Sequence, residues 1–294
     1  MKKYLLLLLV LALSFTTAFA ADENTIIIKT SKPVGTTVSL DAYTASKDEA
    51  FTVDWGDGEE KTYNLDPNGW GYSRRINTEI KGGTITIKGK LVYFDLTEAG
   101  ITSVAFHGQT ALKEIDLEKN EIATFKQDGR MPALTKLDLK GNKLTTFSGK
   151  GMTSLNKLNL QGNQLDSYEF DITDASATLT ELNVSDNGDK FINLNLMSFT
   201  ALEYFYCDDN PEFTTAVFAD NNEKIEKISM NNCHVMHFYS RSFPNLSSLN
   251  LSNNALFELE EGNYPKLSTL SIDHNYLTTL DVTRFPKLYN LSCG

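Results

Sequence analysis

The chain has 294 residues, with 38 aspartates and glutamates against 27 lysines and arginines, which gives a formal net charge of −11. This acidic excess argues against nucleic acid as a partner, because phosphate backbones are bound by clustered basic side chains. The three cysteines are an odd number, which favours buried apolar thiols over a disulfide framework even in an oxidising compartment.

The first twenty residues have the pattern of a secretory signal peptide. Lys2 and Lys3 precede an apolar run from Leu5 to Leu13, and Ala18-Phe19-Ala20 places small residues before a cleavage site. The apolar run is too short for a membrane anchor, and no later segment has the length to span a bilayer. We therefore expect an exported protein, secreted or at the cell surface, without membrane insertion.

Residues 21–90 predict a small antiparallel β-sandwich. Short segments of alternating or continuous apolar character are separated by turns rich in glycine and proline. The predicted strands are Thr25–Ile28, Thr36–Leu40, Phe51–Trp55 and Thr84–Lys88. A distinct unit here would also cover the apolar end of a following solenoid, so we expect it to pack on Leu91, Phe94 and Leu96.

One hairpin of this module has a distinctive sequence, Asp54-Trp55-Gly56-Asp57-Gly58. Asp57-Gly58 is a typical hairpin turn, and Trp55 or Val53 is expected to face the core. The stretch resembles the W-G-D-G turn of PKD-like, immunoglobulin-type modules in bacterial exported proteins.

The same hairpin contains the weak metal candidates Asp54 and Asp57. Their carboxylates are the kind of ligand that calcium prefers, but the spacing does not match an EF-hand loop, and acidic turns are usually only solvated. The prediction is therefore no metal and no cofactor.

From Leu91 onward a single pattern recurs, with leucine-like residues at offsets zero, three, five and ten and asparagine at offset eight. The steps between successive starts are 21 to 24 residues, within the range of roughly 20–29 for a leucine-rich repeat. We predict about ten repeats over residues 91–294, the last one incomplete, as if the chain were cut from a longer one. The starts are Leu91, Leu112, Leu134, Leu155, Leu179, Leu202, Ile225, Leu246, Leu267 and Leu288.

The spacing predicts the architecture. Offsets three and five lie on one face of a short strand, and neighbouring repeats stack to bury that face. The asparagines at offset eight are expected to satisfy buried backbone groups of the turn. Short steps and prolines in the return segments disfavour helices there. The predicted fold is therefore mainly β: a curved leucine-rich-repeat solenoid with a parallel sheet on its concave face, preceded by the β-sandwich.

The repeats resemble those of bacterial secreted proteins of the internalin type. The segments Leu280–Thr283 and Leu288–Cys293 are similar to the subgroup with an inward ladder of cysteines, and we expect Cys207 and Cys293 to be buried fillers at offset five. The resemblance implies a solenoid that binds a protein or a glycan, often on a host or neighbouring cell.

The concave face offers the candidate ligand site. Offsets two, four and six point outward, and two tyrosines on one strand are good anchors for a partner because they lose little entropy on binding. Equally, tyrosine simply suits strands. The predicted ligand-binding residues are Tyr204, Tyr206, Asp208, Glu181, Asn183, Lys227 and Asn231.

Catalysis has little support in the sequence. Cys233, His234 and His237 resemble a metal cluster only superficially, since Cys233 points inward by register. We predict a non-enzymatic binding protein with no catalytic residues. Two alternatives stay open: a structural or assembly module acting through its C-terminal end or acidic convex face, and the targeting part of a larger enzyme. The oligomeric state is left open.

Overall fold

The structure, a computed structural model, describes residues 23–46, 48–64, 74–220, 222–238, 242–259 and 261–294. The predicted signal peptide lies outside these residues. Regular structure in the described part of the chain is almost entirely strand, and the helical pieces are three 3₁₀ turns at Ser167–Glu169, Thr173–Ala175 and Val282–Arg284. None of the helices in these ranges has the length and apolar character needed to cross a membrane.

The described part of the N-terminal module contains six strands, of which four coincide with predicted ones. The two that were missed, β4 and β5, contain few apolar residues, so the alternation that marks a strand is weak in them. The strands are β1 (Thr25–Thr30), β2 (Thr37–Thr44), β3 (Ala50–Asp54), β4 (Glu60–Asn64), β5 (Arg74–Glu79) and β6 (Thr84–Lys88).

The repeats place one strand per coil on the concave side and shorter strands on the convex side. The concave strands are β7 (Leu91–Asp95), β9 (Glu114–Asp116), β11 (Lys136–Asp138), β13 (Lys157–Asn159), β15 (Glu181–Asn183), β17 (Tyr204–Tyr206), β19 (Lys227–Ser229), β20 (Ser248–Asn250), β21 (Thr269–Ser271) and β22 (Asn290–Ser292). The convex strands are β8 (Ile101–His107), β10 (Thr124–Gln127), β12 (Phe147–Ser148), β14 (Phe170–Asp171), β16 (Asn193–Leu196) and β18 (Thr215–Phe218).

A twelve-stranded sheet forms the concave side, and we call its solvent-facing side chains the concave surface. Its order is β22-β21-β20-β19-β17-β15-β13-β11-β9-β7-β2-β5. The strands from β7 to β22 pair in parallel, whereas β2 runs antiparallel to β7, with Ala42 opposite Phe94. The N-terminal module therefore extends the same sheet.

The module also joins the convex side. A six-stranded sheet has the order β10-β8-β1-β6-β3-β4, in which β1 pairs antiparallel with β8 of the first coil. The first coil is thus paired to the module on both faces, and Leu91, Phe94 and Leu96 are fully buried, as predicted for a covered solenoid end. Strand pairing runs without interruption across the domain boundary proposed at residue 90.

The interior between the two faces is continuously apolar. Leu139, Leu160 and Leu251 have no exposed surface, which confirms the inward positions of the repeat. Each such side chain contributes roughly 1.5–3 kcal/mol on burial. The apolar residues of the return segments are buried as well: Met131, Met152, Phe199, Phe243, Tyr264 and Phe285.

Aromatic rings run through this interior in two columns. One column links Phe94, Phe106, Phe125, Phe147, Phe170, Phe191 and Phe213, with centroid separations of 5.4 to 6.2 Å. The other links Phe205, Phe218, Phe243, Tyr264 and Phe285 at 5.4 to 6.4 Å. Each such contact adds about 0.5–1.5 kcal/mol to the burial of the rings, so the columns tie each coil to the next.

The asparagines at offset eight form the predicted ladder. The Asn142 side chain accepts from the backbone N–H of Ile122 (2.9 Å) and donates to the carbonyls of Leu117 (3.0 Å) and Leu139 (2.9 Å). The side-chain amide of Asn142 thereby satisfies backbone hydrogen-bonding groups in its own coil and in the preceding coil. In the seventh repeat Cys233 takes this place, and its thiol donates to the Cys207 carbonyl at 3.1 Å.

The cysteines only partly follow the prediction. Cys207 is buried, but Cys293 is exposed, so its assignment as a buried filler was wrong. Cys293 follows β22, which pairs with β21 and lies at the edge of the sheet in the part of the chain that the structure describes. Between the two, the inward offset-five position holds Met230, Leu251 and Ile272, so these cysteines do not stack into a ladder.

Candidate functional site on the concave surface

The structure brings the seven predicted site residues together on three neighbouring coils. In β17, Tyr204 and Tyr206 are half-buried on either side of the fully buried Phe205. Register pairing aligns Glu181, Tyr204 and Lys227 in one row across β15, β17 and β19. Asn183 lies beside Tyr206 in the next row, and Asp208 and Asn231 occupy the same position of the turns that follow β17 and β19.

Both tyrosines are held by neighbouring charges. The Tyr204 hydroxyl donates to Glu226 Oε2 at 2.9 Å, and this bond raises the pKa of Tyr204. The Lys227 ammonium lies 5.1 Å from the centre of the Tyr206 ring, within cation–π range. Burial, followed by the charges of Glu181 and Asp208, raises the pKa of Tyr206. Both phenols are therefore neutral at physiological pH and present hydroxyl groups at the surface.

Asp208 and Asn231 also hold the turns. Asp208 Oδ1 accepts from the Ser229 hydroxyl and from the Asn231 backbone N–H, both at 2.6 Å. The Asn231 side-chain oxygen accepts from Asn253 Nδ2 at 3.1 Å. These two predicted ligand residues thus have a structural role in linking coils, independent of any ligand.

Glu181 and Asn183 have partners on the sheet as well. Glu181 forms an ion pair with Lys157 at 2.8 Å, which raises the pKa of the lysine. Asn183 Oδ1 accepts from the Ser185 backbone N–H at 3.0 Å. The same turn, in which the offset-four side chain accepts from offset six, recurs at Asp95, Asp116, Asp138, Asn159 and Asn250.

A second polar region lies at the N-terminal end of the concave surface and was not among the predicted site residues. Asp41 of β2 aligns with Asp95 and Asp116, and the rings of Tyr43 and Tyr93 stack at 4.8 Å with an interplanar angle of 6°. Burial raises the pKa of Tyr93 to about 12, with the nearby acidic groups adding to it. Asp41 and Tyr43 lie outside the repeats, so no repeat spacing could have placed them here.

The Asp54–Gly58 hairpin is a structural turn. Asp54 Oδ1 accepts from the backbone N–H groups of Gly56 (2.8 Å) and Gly58 (3.0 Å), and Asp57 is ion-paired with Lys81, whose hydrogen bond lowers the pKa of Asp57. No group of three or more His, Cys, Asp or Glu side chains in the described ranges is arranged to hold a metal ion.

The core of this hairpin depends on close packing. Trp55 is buried and donates from Nε1 to the Tyr63 hydroxyl at 3.0 Å, and Val53 is buried too. Gly56 has a φ of +110°, and a Cβ there would lie 2.5 Å from the backbone of Gly82. Glycine is therefore required at this crossing of two turns.

Stacked coils, buried leucines and the asparagine ladder define the chain as a leucine-rich-repeat solenoid. In agreement, a family model described as leucine-rich repeat matches residues 175–188, which end in the turn after β15. The comparison with curated proteins found no match.

Two similar solved structures are internalins, the type that the repeats resemble in sequence. The functional domain of InlJ from Listeria monocytogenes, described as including a cysteine ladder, is 18% identical, with a TM-score of 0.49. The match covers 74% of this chain and 56%, little more than half, of the InlJ chain. Internalin C2 from Listeria monocytogenes str. 4b F2365 is 18% identical over 68% of this chain and 78% of its own, with a TM-score of 0.38.

At 18% sequence identity, the similarity to these two structures concerns the fold alone. The assignment of this chain to the leucine-rich-repeat class is based on its own stacked coils and asparagine ladder. The comparisons do not identify the N-terminal module, so its resemblance to PKD-like modules stays a prediction.

Proposed function

We propose that this chain is an exported, non-enzymatic binding protein whose concave surface recognises a protein or a cell-surface glycan, on a host or on a neighbouring cell. The observation that carries the proposal is the cluster of Tyr204, Tyr206 and Lys227, which face solvent side by side on adjacent strands. The signal-peptide pattern of residues 1–20 supports export.

Preorganisation makes the two tyrosines suitable anchors. Glu226 fixes the hydroxyl of Tyr204, and Lys227 lies over the ring of Tyr206, so little side-chain freedom is left to lose on binding. The sheet beneath them is rigid because Phe205 is buried in the core. A preformed aromatic surface on a rigid element is typical of interaction hot spots.

The charges around the tyrosines favour a polar partner. Lys157 and Glu181 lie on the fourth and fifth repeats, and Glu226 and Lys227 lie on the seventh. Both signs are therefore present next to the aromatic rings, which suits a partner with hydroxyl, amide or mixed charged groups and sets its orientation.

The proposal is tested by binding of the labelled full chain to extracts of bacterial and host cell surfaces. We expect Tyr204→Ala/Tyr206→Ala to lower capture at least about tenfold, the effect of losing hot-spot contacts worth roughly 1.4 kcal/mol or more. Tyr168→Ala is the matched control, because Tyr168 is 81% exposed on a different part of the coil. Undiminished capture by the folded double variant would reject the tyrosine site.

A further inference from the structure

Three large apolar side chains are exposed on consecutive coils, away from the concave surface. Met236 is 44% exposed, Phe257 63% and Tyr276 62%, and we call them the lateral aromatic patch. They follow the offset-eight positions of the seventh, eighth and ninth repeats, which hold Cys233, Asn254 and Asn275. The rings of Phe257 and Tyr276 stack, with centroids 5.3 Å apart and an interplanar angle of 24°.

Backbone pairing fixes these residues next to one another. The Ala255 N–H donates to the Val235 carbonyl at 3.0 Å, and the Tyr276 N–H donates to the Leu256 carbonyl at 2.8 Å. Met236 and Phe257 therefore occupy equivalent places on adjacent coils, and Tyr276 lies on the coil after that. The patch is a rigid feature of the solenoid and not the tip of a loop.

The repeat itself does not require apolar residues here. In earlier coils the position of Tyr276 is taken by Glu121 and Lys143, which form an ion pair at 3.2 Å. The position of Met236 and Phe257 is taken there by Ala123 and Thr145. Contiguous exposed apolar side chains confined to one part of a surface mark an interaction site.

Polar side chains capable of hydrogen bonding are exposed on the coils that carry the patch. His234, Asn253 and His274 are exposed on the same three coils, and the carboxylate of Glu258 follows Phe257 in the chain. None of these four residues carries an ammonium or guanidinium group. With a net charge of −11 on the whole chain, an anionic ligand would be repelled.

The exposed area of the patch indicates the size of ligand that it can bind. Aromatic side chains bury about 150–250 Å² each, so three side chains that are about half exposed offer roughly 300 Å² together. A stable protein interface needs about 800 Å² from each partner. The patch is therefore too small for a second protein and matches one or two sugar rings.

We propose that the lateral aromatic patch binds a neutral glycan. The apolar C–H face of a hexopyranose ring lies on the face of Phe257 or Tyr276 that the stacked partner leaves free, since polarised C–H groups are attracted to the negative face of an aromatic ring. Hydroxyl groups of the sugar hydrogen-bond to His234, Asn253 or His274. This site is separate from the concave surface and does not depend on the function proposed for it.

The test is isothermal titration calorimetry of the full chain with cellohexaose, maltohexaose, mannohexaose and chitohexaose, and with a hyaluronan hexasaccharide as the anionic comparison. We expect at least one neutral oligosaccharide to bind and to bind more tightly than hyaluronan. Phe257→Ala/Tyr276→Ala should weaken that binding at least tenfold. The single variant Tyr276→Phe keeps the ring, so its affinity should be within about twofold of wild type.

Control variants show whether the sugar binds at the patch or elsewhere on the chain. Tyr168→Ala should leave oligosaccharide affinity unchanged, and circular dichroism verifies that each variant is folded. The proposal is overturned if no neutral oligosaccharide binds, if affinity survives in Phe257→Ala/Tyr276→Ala, or if Tyr204→Ala/Tyr206→Ala lowers the affinity equally, because the sugar would then bind on the concave surface. It is also overturned if sedimentation shows self-association of the wild type that Phe257→Ala/Tyr276→Ala abolishes, because the occupant would then be a second copy.

Discussion

Asp116 shows how a single side chain combines a structural role with an electrostatic cost. Its Oδ1 accepts from the Glu118 backbone N–H at 3.1 Å, the bond that holds the turn after β9. Burial raises the pKa of Asp116, and the neighbouring Asp138 and Asp95 raise it further. Asn159 and Asn183 make the same turn bond without a charge, so the turn itself does not require a carboxylate.

We predict that Asp116→Asn stabilises the protein at neutral pH. Because the pKa of Asp116 is raised in the folded state, folding is coupled to the uptake of a proton by this carboxyl group. The stability linked to that protonation is present at low pH and is lost as pH rises through the folded-state pKa. The gain from Asp116→Asn in urea unfolding should therefore be clear at about pH 7 and vanish near pH 3, where the carboxyl is protonated in both states.

Asp281→Asn is the opposite control for this experiment. Hydrogen bonds from Thr283 lower the pKa of Asp281, so the stability linked to this group is present above its unfolded-state pKa and lost on acidification. Its removal should give no gain at neutral pH. A gain of equal size at both pH values for Asp116→Asn would contradict an electrostatic origin of the effect.

Within a coil, the unit that repeats is a strand followed by an asparagine-held turn. Each ladder asparagine bonds to its own coil and to the preceding one, so it acts on stacking as well as on the turn. The first repeat has Ala99 in this place, yet Asn120 Oδ1 accepts from the Ala99 N–H at 2.9 Å. The asparagine of the next coil therefore bonds to the turn of the first repeat, which has no ladder asparagine of its own.

We predict that Asn163→Ala destabilises the protein by roughly 2–4 kcal/mol, because each buried polar group left unpaired costs about 1–3 kcal/mol. The variant removes the acceptor for the Leu144 N–H and the donor to the Leu139 and Leu160 carbonyls. Urea denaturation followed by circular dichroism measures the change. Asn290→Ala, at an exposed position of β22, should change stability by less than about 0.5 kcal/mol, and equal effects of the two variants would contradict the ladder argument.

The molecule as a whole is held together where the N-terminal module meets the first coil. Phe94 lies at this junction: it is opposite Ala42 of β2 and Ile115 of β9, and its ring contacts Phe106 at 6.1 Å. A solenoid needs a terminal unit to cover its core. Here that unit continues both sheets, so we propose that residues 21–90 and the first coils unfold together.

Phe94→Ala tests this coupling. Its truncation should cost about 3–5 kcal/mol. Both tryptophans of the chain, Trp55 and Trp70, lie in residues 21–90, so fluorescence reports on the module while far-UV circular dichroism reports on all strands. We expect both unfolding transitions to shift to lower urea. Phe285→Ala, at the far end, should leave the fluorescence transition in place, and an unmoved fluorescence transition in Phe94→Ala would show an independently folded module.

The sequence alone specified the coils, because the core and ladder contacts between neighbouring repeats recur at the same spacing. Leu139, Leu160 and Leu251 could be placed in the core, and Asn142 in its turn, from offsets only. The same alternation placed Tyr204, Tyr206 and Lys227 in the solvent-facing rows of the concave sheet. Their role in binding stays a proposal.

Contacts between segments without a shared period came only from the folded chain. No local pattern pairs β2 with β7, brings Asp41 beside Asp95, or stacks Phe257 on Tyr276, since these contacts depend on how distant or differently spaced side chains meet in space. The exposure of Cys293 likewise depends on whether a neighbouring strand covers it. The repeat period determines the contacts that recur between neighbouring coils. The junction between the N-terminal module and the first coil, and the surface patches, arise from packing that occurs only once in the chain.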